Sequence, residues 1–413
     1  MLKQVQHERN KFIREVNMKL KVLVADKFPD KYIQQMRDLD LEVIYNPKLG
    51  EKDLPEAAKD VDIIVVRSTI VNEETINKGT KLNLIIRAGS GVNNINIAAA
   101  NKKGIYVTNC PGMNAVAVAE LAFGLMISLD RFIPDNVSDF NKGVWNKDKY
   151  SKGKGLKGKT LGLIGVGNIG KEVAKRAHAF EMNVYGKDIT RIEGVQIKDF
   201  SEMDQLLPLC DIVTIHLPAT PQTKGLFNKQ MFSYMKDGAY LINTSRQDVI
   251  VEDDLLEAIK EKNIRYACDV FKGEPEGKSG EVSSKLQNNP NIYVTHHIGA
   301  STEQAQDAVA EETINIIKKF VHSGVIEHWV NRAKITDANY QLVVKHYDKP
   351  GVLASVLDVI RSGHINIEEI ENIIFEGGIA ACCTMKLQNA ATADMLKKIS
   401  ENANVISVSH VEI

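Results

Sequence analysis

The run Gly165-Val-Gly167-Asn168-Ile169-Gly170 constrains this chain more than any other stretch of it. It follows directly on TLGLI (160–164), an apolar run of strand length, and it opens a helical period over Ile169–Phe180. In a strand–turn–helix unit the three glycines have separate uses. Gly165 permits the tight turn, Gly167 lets the backbone approach a pyrophosphate, and Gly170 lets helix and strand pack closely. The free N–H groups and dipole at such a helix start favour phosphate charge. Glycine turns of this length also serve packing alone. The strand before, the helix after and an acid at the end of the next strand (Asp188, 18 residues past Gly170) point instead to a dinucleotide. A carboxylate at 188 accepts from a ribose 2′-hydroxyl and repels a 2′-phosphate. That favours NAD over NADP, a preference tempered by Lys187 and Arg191 beside it.

The same alternation of β-branched runs and helical spacers extends on both sides, and it predicts an α/β chain with two doubly wound parallel sheets. Before the glycine turn the strand candidates are 21–25, 41–45, 62–66, 83–87 and 105–108, followed by an Ala/Leu-rich helix near 114–129 and a polar connector to Lys159. After it come 183–186, 211–217, 239–243, 266–270 and 291–297, then a long helix over 302–320. From about 338 the order becomes strand, helix, two strands, helix, strand, the split ferredoxin-like pattern, with Glu376-Gly377-Gly378 as the hairpin turn. The expected division is an extension at 1–18, a first lobe from 19–113 and 301–335, a nucleotide lobe from 114–300, and a small terminal module from 338–413.

With 413 residues, at roughly 100–200 per domain, two to four domains are expected. Lys and Arg total 52 against 53 Asp and Glu, so neither nucleic acid nor an anionic membrane is expected as a partner. No apolar run reaches the roughly 20 residues of a membrane helix, and residues 1–18 are charged throughout, unlike a secretory signal. Five cysteines without paired CxxC spacing suit buried thiols in a reducing compartment. The expectation is a cytoplasmic protein with no structural metal.

Hydride transfer beside such a nucleotide needs a cation for the substrate's acid group and a base near neutral pKa. Arg246 after LINTS, Glu274 after DVFKG and His297 after VTH lie at the ends of the later strands, where open α/β sheets place ligands. Singly each has a plainer reading: a surface cation, a solvated loop acid, a core histidine. Their common placement behind a nucleotide fold raises the joint one.

These segments, NTSR (243–246), DVFKGEP (269–275) and HIGAST (297–302), taken with GVGNIG, resemble the D-2-hydroxyacid dehydrogenases. RAGSGVNNIN (87–96), VRST (66–69), Ala119-Glu120, Trp145-Asn146-Lys147 and KPGVL (349–353) extend the resemblance over nearly the whole chain beyond Lys19. They narrow it to the branch that oxidises 3-phosphoglycerate and carries a terminal ACT domain. The resemblance implies that Arg246 binds the substrate carboxylate and C2 oxygen, that His297 is the acid/base, and that Glu274 holds its other ring nitrogen. It assigns NAD to Gly165, Gly167, Asn168, Ile169, Gly170, Asp188, Thr244, Ser245, Asp269 (on the nicotinamide carboxamide), Gly299 and Ala300. It puts Arg67, Ser90 and Gly91 on the substrate side. A homo-oligomer, dimer or tetramer, is implied, in which Lys147 reaches the neighbouring subunit's phosphate site and Trp145 packs into that neighbour.

Three positions depart from the family pattern: Gln247 for a usual Gly, His296 for a common Pro, and Thr69 where some relatives place a second phosphate-binding Arg. In the terminal module, His346, Asp348 and Asn366 match positions that hold L-serine as an effector, with Asp348 replacing an Asn. Two alternatives stay open. One is a hydroxypyruvate, glyoxylate or 2-oxoglutarate reductase of the same fold. The other is a non-catalytic, NAD-sensing interaction protein on the same scaffold.

Overall fold

The computed structural model describes residues 19–275 and 280–413; the extension expected at 1–18 lies outside the described residues. By its internal contacts the chain separates into two units, one ending at Asn331 and the other running Arg332–Ile413.

The first unit is built on two parallel sheets. Strands β1 (Lys21–Val24), β2 (Glu42–Tyr45), β3 (Ile63–Val66), β4 (Leu84–Arg87) and β5 (Tyr106–Asn109) pair in the order β2-β1-β3-β4-β5. β3 reads IIVV and is buried at every position, because helices cover both faces of the sheet. Each such side chain contributes about 1.5–3 kcal/mol of burial. β2 departs from the expectation of a strand buried on both faces. It is the sheet edge, and its pattern alternates exposed and half-buried.

The second sheet comprises β6 (Thr160–Ile164), β7 (Asn183–Lys187), β8 (Lys198–Asp199), β9 (Ile212–Ile215), β10 (Tyr240–Asn243), β11 (Arg265–Cys268) and β12 (Ile292–Val294). Their order is β12-β11-β10-β9-β6-β7-β8, which reverses direction beside β6, the strand that leads into the glycine turn. The helix Ala115–Arg131 packs on this sheet through Ala119, Ala122, Phe123, Met126 and Leu129. The helix Glu303–Ser323 returns to the first sheet, burying Ala310, Ile314, Ile316 and Ile317 there. Two chain crossings therefore tie the sheets together. The connector expected to be merely polar contains helices at Ile133–Asn141 and Lys147–Tyr150. The first starts on Phe132, whose left-handed φ of 55° ends the preceding helix, and it has a proline in its first turn.

The second unit has four antiparallel-paired strands, β13 (Tyr340–Tyr347), β14 (Ile367–Ile374), β15 (Ala380–Leu387) and β16 (Val405–Glu412), in the order β14-β15-β13-β16. Helices Val352–Ser362 and Ala393–Ser400 cover one face through Val356, Ile360, Met395 and Ile399. This is the split ferredoxin-like arrangement that the order of elements predicts.

Candidate active site

At the glycine turn the geometry follows the residue types. Gly165 sits at φ 90°, and a Cβ there would lie 2.7 Å from the carbonyl oxygen of His216; a Cβ on Gly170 would overlap the carbonyl of Gly165. Gly167 has open space where a side chain would stand. As the N-cap of Asn168–Ala179 it gives that helix no side-chain cap, so the first-turn N–H groups stay available to an anion. Asp188, at the end of β7, accepts from Val166 N at 2.7 Å and from the N and Oγ1 of Thr190, each at 3.0 Å. Burial pushes its carboxyl up, but these donors outweigh it and hold it below the ordinary carboxylate range. Two buried polar atoms on neighbouring strand ends, Thr244 Oγ1 and His216 Nδ1, have no partner among the described residues. Burial pushes the His216 imidazole down to about 3, so it stays neutral. Uncapped amides, an ionised acid, a glycine cradle and unpartnered polar atoms fit a dinucleotide.

The turn after β10 is knotted around Asn243, a fully buried residue. Its Oδ1 accepts from Ser245 N at 3.0 Å and from Ser245 Oγ at 2.8 Å, and its Nδ2 donates to Arg246 O at 3.0 Å. The Arg246 guanidinium then donates to Ser245 O at 2.7 Å and sits against Gly91, where any Cβ would overlap it. A residue of the second sheet thus crosses to a loop of the first. Asn168 makes a parallel approach: a Cβ on Gly112 would come within 2.8 Å of its Nδ2.

The expected strand at 291–297 pairs only over Ile292–Val294. Beyond it the chain is redirected by Asp269, which is 2% exposed. The Asp269 carboxylate accepts from Thr295 Oγ1 (2.6 Å), Ile298 N (2.9 Å) and Gly299 N (2.7 Å), and its carbonyl accepts from His297 N (3.0 Å). His297 is left at φ 51°, a left-handed conformation uncommon for a side-chain-bearing residue. Its Nδ1 lies 2.8 Å from Glu274 Oε2, while Glu274 Oε1 accepts from Phe271 N at 2.8 Å. The hydrogen bond that His297 donates to Glu274 raises the imidazole above its ordinary value. Burial raises the Glu274 carboxyl, but the bonds from His297 and Phe271 N bring it below its usual range. With Nδ1–H donated to the carboxylate, the Nε2 lone pair is free.

On the first sheet, Arg67 follows β3, and its loop is pinned by a residue that no sequence signal marks. Asp26, 5% exposed, accepts from the backbone N of Arg67, Ser68 and Thr69 at 2.7, 2.9 and 3.0 Å, and from Ser68 Oγ at 2.9 Å. Nothing in its strand context, KVLVAD, marks it, because its partners lie more than 40 residues away. Ser90 donates to Asn114 Oδ1 at 2.6 Å. Lys147 is on the surface, two residues after Trp145, which is 83% exposed; neither joins the cluster within one chain. Nor do the three terminal positions converge within one chain. His346 is buried beside Asn372, while Asn366 precedes β14 at the opposite end of the sheet, about 20 Å away at strand spacing.

Residues 123–299 match the family model for the D-isomer specific 2-hydroxyacid dehydrogenase, NAD binding domain. The chain is 35% identical over 388 residues to the D-3-phosphoglycerate dehydrogenase of Methanocaldococcus jannaschii, covering 92% of this chain and 72% of that one. It is 38% identical over 301 residues to the hydroxypyruvate reductase of Thermotoga maritima, 72% of this chain and 97% of that one. The NAD+-bound 3-phosphoglycerate dehydrogenase of Entamoeba histolytica superimposes with a TM-score of 0.64 at 30% identity, over 76% of this chain and 99% of that chain. Likeness at this level over both sheets, with an NAD-binding turn in place, makes the chain a member of the D-isomer-specific 2-hydroxyacid dehydrogenase family.

Proposed function

We propose that the protein oxidises 3-phosphoglycerate to 3-phosphohydroxypyruvate with NAD, the first step of L-serine synthesis. The observation that carries the chemistry is the His297–Glu274 pair at 2.8 Å with Arg246 beside it. Bound at the glycine turn, NAD supplies the hydride acceptor. Arg246 presents a planar fork of donors to the substrate carboxylate and C2 oxygen. His297 Nε2 takes the C2 hydroxyl proton in oxidation and returns it in reduction, while Glu274 stabilises the charge that forms on the ring. Asp188 accepts from the ribose, Thr244 and Ser245 line the cofactor side, and Arg67, Ser90 and Gly91 line the substrate side. Proton transfer of this kind is worth roughly 10²–10⁴-fold in rate.

The choice of substrate rests on extent. The match to the phosphoglycerate dehydrogenase takes in 92% of the chain, whereas the hydroxypyruvate reductase matches 72% and spans 97% of its own length. The ferredoxin-like unit is thus what sets this chain apart from a plain reductase, and we read it as an ACT domain that binds L-serine. The effector would lie between two copies, one offering His346 and Asp348 and the other Asn366. Association is supported by the exposed stripe of Ile133, Val137 and Phe140 along one helix, continued by Val144 and Trp145. Cytoplasmic residence belongs to the same reading: all five cysteines are unpaired, and no helix among the described residues is long and apolar enough to cross a membrane.

The test is NADH oxidation with phosphohydroxypyruvate, hydroxypyruvate, glyoxylate and 2-oxoglutarate, each with and without L-serine. A kcat/KM for phosphohydroxypyruvate at least tenfold above the rest, lowered by serine, is expected. Equal or better use of hydroxypyruvate or glyoxylate would make the chain a general reductase, and indifference to serine would remove the effector reading.

A further inference from the structure

We propose that Arg87 is a substrate-binding residue: with Arg67 it forms a two-guanidinium pocket for the phosphate monoester, the charge that Thr69 does not provide. The proposal rests on the substrate reading above and names the group that reads the phosphate.

Arg87 closes β4 and Arg67 follows β3, and the register Val66↔Arg87 sets them side by side at the carboxyl ends of adjacent parallel strands. That edge is where open α/β sheets present ligand-binding groups. The Arg87 side chain folds over its own loop, so that any Cβ on Gly89 would overlap its guanidinium; two residues on, Gly91 gives way to Arg246 in the same manner. The glycines of 89–91 therefore form a shelf on which two cations from different sheets lie close together.

Among the described residues no carboxylate forms an ion pair with Arg87, its guanidinium makes no hydrogen bond, and its Nε is sealed from solvent without a partner. Arg265, also buried, keeps an unpartnered Nε but donates to Leu129 O and to Tyr293 Oη, and its guanidinium lies 4.1 Å from the Phe132 ring centre. Asp26, the acid near Arg87, is already occupied by the amides of 67–69. Cys110 contributes no anion, since burial raises its thiol to about 11. Burial, with Arg246 and then Arg67 as like charges, pulls Arg87 down only to about 10, so it remains a cation at neutral pH. A desolvated guanidinium crowded by two others is unfavourable in the free protein. A dianion relieves that repulsion, and planar guanidinium forks match phosphate oxygens. Arg246, beside Glu274 and His297, serves the carboxylate end, which leaves Arg67 and Arg87 for the far end of a three-carbon acid.

The test compares kcat/KM for phosphohydroxypyruvate and hydroxypyruvate, with NADH, in the wild type, Arg87→Met and Arg87→Lys; NADH binding by fluorescence monitors the nucleotide site. Arg87→Met should collapse the preference for the phosphorylated substrate by about 10²-fold, chiefly through KM. Arg87→Lys should recover part of it, since a point charge replaces the fork. Inorganic phosphate should compete with substrate in the wild type and not in Arg87→Met. Equal losses on both substrates, or an unchanged preference, would overturn the proposal. If Arg87→Met loses NADH binding, Arg87→Lys decides by the same ratio. A wild type without any preference would remove the substrate reading, and the phosphate pocket with it.

Discussion

Replacing Glu274 by Gln isolates the contribution of one negative charge without changing shape. In the wild type the two carboxylate oxygens have separate duties: Oε1 accepts from Phe271 N and Oε2 from His297 Nδ1–H, both at 2.8 Å. A glutamine has one acceptor and one NH2 for these two donors. If its oxygen keeps Phe271 N, the NH2 faces Nδ1 and drives the proton to Nε2, removing the lone pair that takes the hydroxyl proton. If the oxygen keeps Nδ1–H instead, the NH2 opposes the Phe271 amide and leaves a donor unmade, at about 1–3 kcal/mol. The first arrangement holds the catalytic ring in the wrong tautomer, and the expected fall in kcat is about 10²–10⁴-fold. The sign of the pH effect follows from the same bond. Glu274 raises the His297 pKa; oxidation needs the neutral ring, so the rate climbs as pH rises through that value. Without the carboxylate the pKa falls, and the residual activity should climb at lower pH. Steady-state NADH formation across pH, with NADH binding as a control, measures both. A kcat within about threefold of wild type, with the rising limb unmoved, would refute the assignment of base and support.

Asp26→Ala removes the acceptor for three backbone N–H groups, at about 1–3 kcal/mol for each donor left without one. A loss of about 3–5 kcal/mol in urea unfolding is expected, with KM rising more than kcat falls because the Arg67 loop is released. Burial opposes ionisation of Asp26, but the amides hold its pKa below the usual value. Its stabilisation is therefore complete above the unfolded carboxylate pKa and fades as pH falls, and the variant should show a shallower acid decline. Gly165→Ala places a Cβ at φ 90° and 2.7 Å from the His216 carbonyl; NADH binding should be lost before global folding, read by fluorescence and circular dichroism.

Much of the fold was legible because its signals are local. Runs such as IIVV, IVTI and YLIN declare buried parallel strands, and GVGNIG between strand and helix declares the nucleotide turn within six residues. The element order from Tyr340 onward implies the four-stranded terminal sheet for the same reason. The connector up to Lys159, polar by composition, contains helices at Ile133–Asn141 and Lys147–Tyr150. The first is held by a left-handed Phe132 and a first-turn proline, and it leaves Val137 and Phe140 exposed, so its apolar stripe marks no core within this chain.

The site divides along the same line. From residue order alone came the glycines, Asp188 and the candidacy of Arg246, Glu274 and His297, since each sits at the end of a strand that its own neighbours specify. Only the folded chain decided that Arg246 reaches Gly91 on the other sheet, that Asp269 bends the backbone until His297 meets Glu274, and that Asp26 gathers the amides of 67–69. It also decided that Arg87, an ordinary arginine by sequence, lies beside Arg67 and Arg246 with its Nε sealed from solvent. Backbone periodicity is set over a few residues and can be read from them. Burial, charge pairing and the meeting of side chains far apart in sequence depend on which strands become neighbours, and that is settled only when the whole sheet is assembled.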